Sequence, residues 1–224
     1  MPEIEAVTAS LRPDLEAEAR VAFHSVWPEF IFHDPVPREY IDRVGAYFKE
    51  YDVLLLDQGE VVAGGWGVAL AWDGTIAGLP AGYYGALVAA VGGHEREVEP
   101  DTLIVMAAAV RADRQGRGLA GQILTTLRER AASAGLRAML APVGPTLKSR
   151  YPVTSMDQFA SWARSDGQHL DPWVRTHQRL GAKVLAPAPR SMVISGTVAE
   201  WGSWAQMAFP ASGQYVVPGA LDLV

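Results

Sequence analysis

A short glycine-rich run is the feature of this sequence best suited to binding a ligand. Residues Gly116 to Gly121 read G-R-G-L-A-G and lie at the start of the apolar pattern of a helix. Glycine lets the backbone approach a bound group closely. The N-terminus of a helix adds unpaired N–H groups and a partial positive charge, which suit a phosphate or pyrophosphate. The run therefore predicts an anion site at a loop-to-helix junction.

The same run has the form G-x-G-x-x-G of dinucleotide-binding folds, but its surroundings disfavour that interpretation. In such folds a strand leads straight into the first glycine, whereas Arg111 to Gln115 intervene here. The next predicted strand, Leu136 to Val143, lacks the acidic residue that would bind the ribose. A glycine-rich turn that binds nothing stays open as the simplest alternative.

The elements around the run form an α/β pattern. An apolar strand at Thr102 to Val110, an amphipathic helix at Gly118 to Ala134 and a strand at Leu136 to Val143 make a βαβ unit, which implies a parallel strand pair. Asp52 to Asp57 and Val61 to Trp72 flank a turn and predict a hairpin. Further elements are expected as helices at 13–26, 37–50, 83–91 and 172–180 and as strands at 183–185 and 191–198.

Composition places the chain among ordinary globular proteins. It has 224 residues, of which 49% are hydrophobic and 20% charged, and we expect one domain spanning residues 1–224. The absence of cysteine excludes disulfides, thiolate metal sites and a cysteine nucleophile. A net charge of −6 argues against a nucleic-acid partner. Because no leader-like or membrane-spanning apolar run is present, we expect a cytoplasmic protein that does not enter a membrane.

Two common kinds of site find no support in the sequence. The five histidines show no paired ligand spacing, so no metal site is expected. A G-x-S-x-G segment is absent, which argues against a serine hydrolase. We therefore expect neither a metalloenzyme nor a hydrolase of that type.

The segment from Val110 to Ala120 resembles the GNAT superfamily of acetyl-CoA-dependent N-acetyltransferases. The acyl-CoA signature of that family is Gln or Arg, two residues, Gly, one residue, then Gly or Ala, and Gln115, Gly118 and Ala120 fit it. The resemblance implies an α/β (α+β) fold with a mixed, mostly antiparallel sheet, a splayed parallel strand pair and flanking helices. It also implies acetyl-CoA or another acyl-CoA as cosubstrate, with pantetheine along the strand end and pyrophosphate on the loop. The residues so implied are Ala108, Ala109, Val110, Gln115, Gly116, Arg117, Gly118, Leu119, Ala120 and Gly121.

The resemblance continues to the segment around Gly181 and singles out His177. Residues 179–182 read R-L-G-A, similar to the end of the family's Tyr-x-x-x-Gly-Phe element. In many GNAT enzymes the tyrosine four residues before that glycine protonates the departing CoA thiolate, and here the position holds His177. Imidazole titrates near neutral pH, so it can give a proton to a thiolate or accept one from an amine. We predict His177 as the catalytic residue, and a structural histidine is the alternative.

The stretch from Gly144 to Asp171 is longer than the family's usual link, and loops of this length are commonly functional. We predict an insertion at 144–171 that packs down through Phe159 and Trp162 and covers the acceptor side of the site. The sequence K-S-R-Y-P at 148–152 resembles a GNAT subgroup related to the loading domains of some polyketide synthases. Those domains are associated with malonyl-CoA decarboxylation and acyl transfer to a carrier-protein thiol. Candidate substrate-binding residues are Thr146, Thr154, Trp162 and Arg190.

Three functions fit these patterns. The main interpretation is an N-acetyltransferase that transfers acetyl from acetyl-CoA directly to an amine of a small molecule. The second is a malonyl-CoA-type decarboxylase or S-acyltransferase, for which a carrier protein is a partner. The third is a catalytically silent acyl-CoA-binding domain. A homodimer is compatible with each of them.

Overall fold

The computed structural model describes residues 4–24 and 26–224. They fall into two units. The first, which we name the sheet unit, lies within Met1–Val26 and Val36–Pro142, and the second unit comprises Trp27–Pro35 and Val143–Val224. That the whole of residues 1–224 forms a single domain with an insertion at 144–171 stays a prediction.

The sheet unit is built on a mixed sheet, which in the described residues has five strands in the order β1-β2-β3-β4-β5. The first four strands pair antiparallel with their neighbours, and β4 pairs parallel with β5. The predicted fold class, a mixed and mostly antiparallel sheet with flanking helices, is therefore confirmed. The strands are β1 (Ile4–Thr8), β2 (Asp52–Asp57), β3 (Glu60–Leu70), β4 (Thr102–Val110) and β5 (Ala138–Leu140).

The parallel pair separates early along its length. Pairing runs from Thr102 opposite Ala138 to Ile104 opposite Leu140, where β5 ends, while β4 continues to Val110. The predicted splay is thus present. The predicted strand at 136–143 was too long, because the N–H of Leu136 is used to close the preceding helix and Pro142 has no N–H to donate.

Helices of the sheet unit pack closely on the strands. The longest, α4 (Leu119–Ser133), buries Ile123, Leu124, Leu127 and Ala131. A Cβ at Gly65 on β3 would lie 2.6 Å from the Ile123 side chain, so a glycine there allows α4 to approach the sheet. The remaining helices of this unit are α1 (Glu16–His24), α2 (Pro35–Tyr47) and α3 (Gly82–Glu95).

The second unit contains three α-helices among its described residues: α5 (Met156–Ala160), α6 (Pro172–Arg179) and α7 (Val198–Ala205). Its core includes a cluster of Phe30, Val217 and Ala220, against which Trp201 and Trp204 of α7 pack. The chain from Trp201 onward is thus helical up to Ala205, and its aromatic side chains contribute to this core.

The strands predicted at 183–185 and 191–198 are wrong. Residues 182–197 form irregular structure, and Val198 already begins α7. Pro187 and Pro189 cannot donate to a sheet ladder, and Arg190 has a left-handed φ of 56°, which ends an extended run. The overlooked signal was Thr197, which caps α7 in a capping box with Glu200.

Candidate functional site

The predicted cosubstrate residues lie on one continuous strand–loop–helix segment of the sheet unit. Ala108, Ala109 and Val110 are the last three residues of β4, on the part of that strand that β5 leaves unpaired. A short 3-10 helix, Ala112–Arg114, follows. Residues 115–118, which we name the glycine loop, then lead into α4. The end of β4 and the glycine loop are therefore close together in the chain and in the fold.

Two residues of the glycine loop have a backbone conformation that glycine adopts more readily than other residues. Gly116 and Gly118 have φ of 76° and 82°, in the left-handed region. A side chain adds roughly 1–2 kcal/mol of strain there. No atom of the described residues lies within 4 Å of the position that a Cβ would take at either glycine. Residues 115–118 are all exposed, so the loop has open space beside its backbone.

The N-terminus of α4 is open to an anion. Gly118 is the N-cap, no side chain caps the first N–H groups, and the first turn carries no acidic residue. Leu119 is buried and fixes the start of the helix on the core, while Ala120 and Gly121 are half-buried. The first-turn N–H groups and the positive end of a 15-residue helix can therefore bind phosphate oxygens.

Two of the three arginines that flank the loop are held by carboxylates. Arg111 Nε donates to Asp113 Oδ1 at 2.7 Å, and Arg114 Nη1 donates to Asp57 Oδ2 at 2.9 Å. Arg117 is exposed and forms no hydrogen bond or ion pair with another described residue. Its charge is therefore the one available to an anionic ligand at this loop.

Asp171 organises the second unit around the start of α6. It is fully buried, and its Oδ1 accepts from the N–H groups of the second and third residues of the helix at 2.9 and 3.0 Å. Its Oδ2 accepts from the Leu147 N–H at 2.6 Å and from Thr146 Oγ1 at 3.1 Å. An aspartate directly before Pro172 is typical of an N-cap, but nothing in the sequence indicates that its second oxygen binds residues 146–147. One carboxylate thus connects that segment to the helix that carries His177.

His177 is buried on α6, with its ring 4.4 Å from that of Trp173, centroid to centroid. Its Nε2 has no hydrogen-bond partner among the described residues. Burial lowers the pKa of His177 to about 4, because a charged imidazolium would lose its hydration there. The ring is therefore uncharged at neutral pH, and its Nε2 is buried without a partner among the described residues.

The two predicted threonines differ in what they bind. The Thr146 hydroxyl donates to Asp171, so it belongs to the N-cap network of α6. Thr154 is half-buried, and its backbone N–H donates to the Tyr151 carbonyl at 3.1 Å to close a turn. Of the two, Thr146 is the one connected to the helix of His177 by a side-chain hydrogen bond.

Trp162 and Arg190 lie in different surroundings. Trp162 is half-buried and packs edge-on against Tyr151, with ring centroids 4.8 Å apart, next to the fully buried Phe159. Arg190 is exposed and forms no ion pair with another described residue. That the 144–171 segment covers the acceptor side of the site stays a prediction.

Lys148 is a buried cation that no sequence pattern indicated. Its side chain is fully buried, and Nζ donates to the Tyr151 and Leu221 carbonyls and to Asp222 Oδ1, the last at 2.8 Å. Leu221 and Asp222 lie 73 and 74 residues away, so spacing could not reveal them. The ammonium fixes Lys148 and the turn up to Tyr151 to residues 221–222.

No helix within residues 4–24 and 26–224 combines the length and apolar character needed to cross a membrane. In the same residues, no group of three or more histidine, aspartate or glutamate side chains is placed to hold a metal ion.

The family of this chain follows from residues 21–150, which match the model of the Acetyltransferase (GNAT) family. The chain is also 30% identical over 219 residues to the arginine N-acetyltransferase avaD of Aspergillus versicolor, with 88% of this chain and 74% of that protein covered. The chain belongs to the GNAT family. It is therefore an acyltransferase, and a catalytically silent domain loses its support.

Two solved GNAT structures share the fold of this GNAT chain. The loading GNATL domain of CurA from Lyngbya majuscula is 16% identical with a TM-score of 0.56, covering 84% of this chain and 89% of that chain. The GphF GNAT-like decarboxylase, in complex with isobutyryl-CoA, is 16% identical with a TM-score of 0.56, covering 82% and 87%. The predicted GNAT resemblance is confirmed, whereas the roles of the individual site residues stay predictions.

Proposed function

We propose that this GNAT chain transfers an acetyl group from acetyl-CoA directly to an amine of a small molecule. The observation that carries the proposal is the 30% identity to an N-acetyltransferase, avaD, over 74% of that protein's length. The name of that relative specifies arginine, so arginine is the first acceptor to test. The proposal includes a cytoplasmic location, a single domain over residues 1–224 and no metal requirement.

The glycine loop supports acyl-CoA as the donor. The uncapped N-terminus of α4 and the uncommitted Arg117 provide N–H groups and positive charge for a pyrophosphate. Residues 108–110 pair with β3 on one side of β4 but not with β5 on the other, so the amide groups that face away from β3 can bind pantetheine. The loop would thus bind the pyrophosphate of the donor, and the end of β4 would bind its pantetheine.

In the proposed reaction the amine nitrogen attacks the thioester carbonyl, a C–N bond forms and the C–S bond breaks. The nitrogen must lose a proton, and the departing CoA sulfur must gain one. An uncharged His177 could accept the first proton once its buried Nε2 becomes accessible to the substrate, and the imidazolium formed could then protonate the thiolate. Because burial disfavours the charged ring, taking up the first proton is unfavourable by itself and has to be coupled to the transfer to the thiolate, which is strongly downhill.

The test is mass spectrometry of the products from acetyl-CoA and from malonyl-CoA, each with and without a panel of amines that includes arginine. We expect an acetylated amine, formed from acetyl-CoA only when an amine is present. Loss of CO₂ from malonyl-CoA without any amine, with acetyl transfer to a carrier-protein thiol, would instead establish the decarboxylase alternative. In that case His177, with Thr146 or Thr154, would be the groups to test for binding the malonyl carboxylate.

The role of His177 needs its own variants. His177→Ala should lower turnover by roughly 10² to 10⁴ if the ring transfers a proton, with little change in CoA affinity. Thr176→Ala on the same helix is the matched control, because its hydroxyl donates only to the Pro172 carbonyl one turn earlier. His177→Tyr should restore part of the acetyltransferase activity but none of a decarboxylase activity. An Ala variant that turns over as fast as the control would remove His177 from the mechanism.

A further inference from the structure

We propose that the ion pair between Asp57 and Arg114 holds the glycine loop in the conformation that binds acyl-CoA, so that both are positioning residues for the donor. The inference rests on the proposed function, because it assigns the loop to acyl-CoA. It concerns two residues that are not among the signature positions 115, 118 and 120 and that lie 57 positions apart.

The ion pair connects the end of β2 with the residue directly before the glycine loop. Asp57 is the last residue of β2, where the hairpin to β3 begins, and Arg114 is the last residue of the 3-10 helix directly before Gln115. Arg114 Nη1 donates to Asp57 Oδ2 at 2.9 Å, and the two side chains are only 23% and 12% exposed. A contact this sheltered is screened less by solvent than a surface pair.

A second arginine anchors the other end of the same 3-10 turn. The Arg111 N–H donates to the Val62 carbonyl at 3.0 Å, and its Nη1 lies 3.6 Å from Glu60 Oε2. Arg111 and Arg114 therefore fasten the turn to the β2–β3 hairpin at both of its ends. Residues 115–118 leave this anchored turn as an exposed loop, so their path depends on where Arg114 is held.

The geometry argues that Arg114 positions the loop and does not bind phosphate itself. Its Nη1 is committed to Asp57, and its Nε lies 3.5 Å from Asp113 Oδ2. The two roles predict opposite effects of removing the Asp57 charge. If Arg114 bound phosphate, Asp57 would compete with the ligand, and Asp57→Asn would strengthen binding; if the pair positions the loop, the same change weakens it.

The pair also leaves two buried atoms without a hydrogen-bond partner among the described residues, Asp57 Oδ1 and Arg114 Nε. The contact is therefore made at one point and not as a bidentate fork. Removing one partner leaves the other charge sheltered and uncompensated, which destabilises more than removing both. For this reason the test needs the double variant as well as the single ones.

The experiment measures CoA affinity by calorimetry for wild type, Asp57→Asn, Arg114→Gln and the double variant. Each single variant should weaken CoA binding by roughly tenfold, since affinity falls with the fraction of time that the loop spends in its binding conformation. The double variant should bind about as weakly as either single one, because all three lose the same contact. Arg114→Lys should retain most of the affinity, since an ammonium can make the same one-point contact.

Glu60→Gln is the matched control. It removes one carboxylate charge from the same group, but the Glu60 side chain is 63% exposed and 3.6 Å or more from both arginines. By charge alone both Glu60→Gln and Asp57→Asn should slightly favour an anionic ligand. If Asp57→Asn weakens CoA binding and Glu60→Gln does not, the effect therefore comes from the position of the loop and not from the change in charge.

Hydrogen exchange at the backbone amides of residues 115–119 gives a second measurement that does not depend on CoA. It should speed up in Asp57→Asn and Arg114→Gln but not in Glu60→Gln, with the far-UV circular dichroism of all variants unchanged. Unchanged exchange, or unchanged or tighter CoA binding in Asp57→Asn, would overturn the inference. A wild-type protein that does not bind CoA would overturn the proposed function instead, and the exchange result would still decide whether the pair orders the loop.

Discussion

The backbone N–H of Asp171 donates to Nδ1 of His169 at 2.9 Å, and this contact selects the tautomer of the neutral ring. A nitrogen that accepts a hydrogen bond carries no proton, so the proton of the neutral ring is on Nε2. Nε2 in turn lies 3.1 Å from the Phe159 carbonyl and donates to it. The His169 ring thereby connects the Phe159 carbonyl with the N–H of Asp171, the N-cap of α6.

Asp171→Ala should lower the free energy of unfolding by about 3 kcal/mol, because it removes an N-cap and a buried acceptor of four hydrogen bonds. Asp171→Asn keeps one acceptor oxygen and should lose about half as much. Urea unfolding measures both. The control is Ser155→Ala at the exposed N-cap of α5, for which about 0.5–1 kcal/mol is expected. An equal effect of Asp171→Ala and Ser155→Ala would show that the Asp171 network adds nothing to an ordinary cap.

Gly118→Asp should weaken CoA binding by roughly tenfold or more, because it puts a negative charge beside the pyrophosphate at the open helix N-terminus. The side chain has room, since no atom of the described residues lies within 4 Å of its Cβ position. Gly135→Asp is the matched control at the other end of α4, with a similar φ of 80° and equally open space. Titration calorimetry on both folded variants tests the assignment. Equal affinities in the two variants would place the pyrophosphate elsewhere.

Stability should fall as the pH drops from about 6.5 to about 4, because of His177. Its pKa is lowered to about 4 in the folded protein, whereas an unfolded histidine titrates near 6.5, so in this window the unfolded chain binds a proton that the folded chain does not. The contribution is on the order of 2–3 kcal/mol and levels off below pH 4. Urea unfolding at a series of pH values measures it. His177→Phe should flatten the profile, and a profile identical to wild type would contradict the buried, uncharged state.

Asp52 should change the pH dependence of stability in the opposite direction over nearly the same pH range. Burial, with a smaller effect of Glu16, raises the pKa of Asp52 to about 6, so between about pH 4 and 6 the folded protein holds a proton that the unfolded chain has lost. This contribution therefore decreases as the pH rises. Asp52→Asn should stabilise the protein at pH 7.5 by roughly 1–2 kcal/mol and have little effect at pH 4. Glu16→Gln should give a smaller gain, and a loss of stability in Asp52→Asn at pH 7.5 would refute the prediction.

The parts of the fold that could be predicted from the sequence are those specified by neighbouring residues. The strands at 52–57 and 102–110 follow from continuous apolar runs, and the start of α4 after Gly118 follows from glycines that permit a left-handed backbone. Asp171 with Pro172 predicts the start of α6 because an N-cap acts on amides two and three residues away. The signature at 115–120 indicates the family for the same local reason.

Features that only the tertiary structure decided are those that join residues far apart in the chain. The pairing of β5 with the first three residues of β4 depends on a distant hydrogen-bonding partner that periodicity does not specify. The pairing of Arg114 with Asp57, the second oxygen of Asp171 and the burial of Lys148 join positions from 24 to 74 residues apart. A charged side chain takes its partner from whatever packing brings within reach, and that packing is a property of the folded chain as a whole.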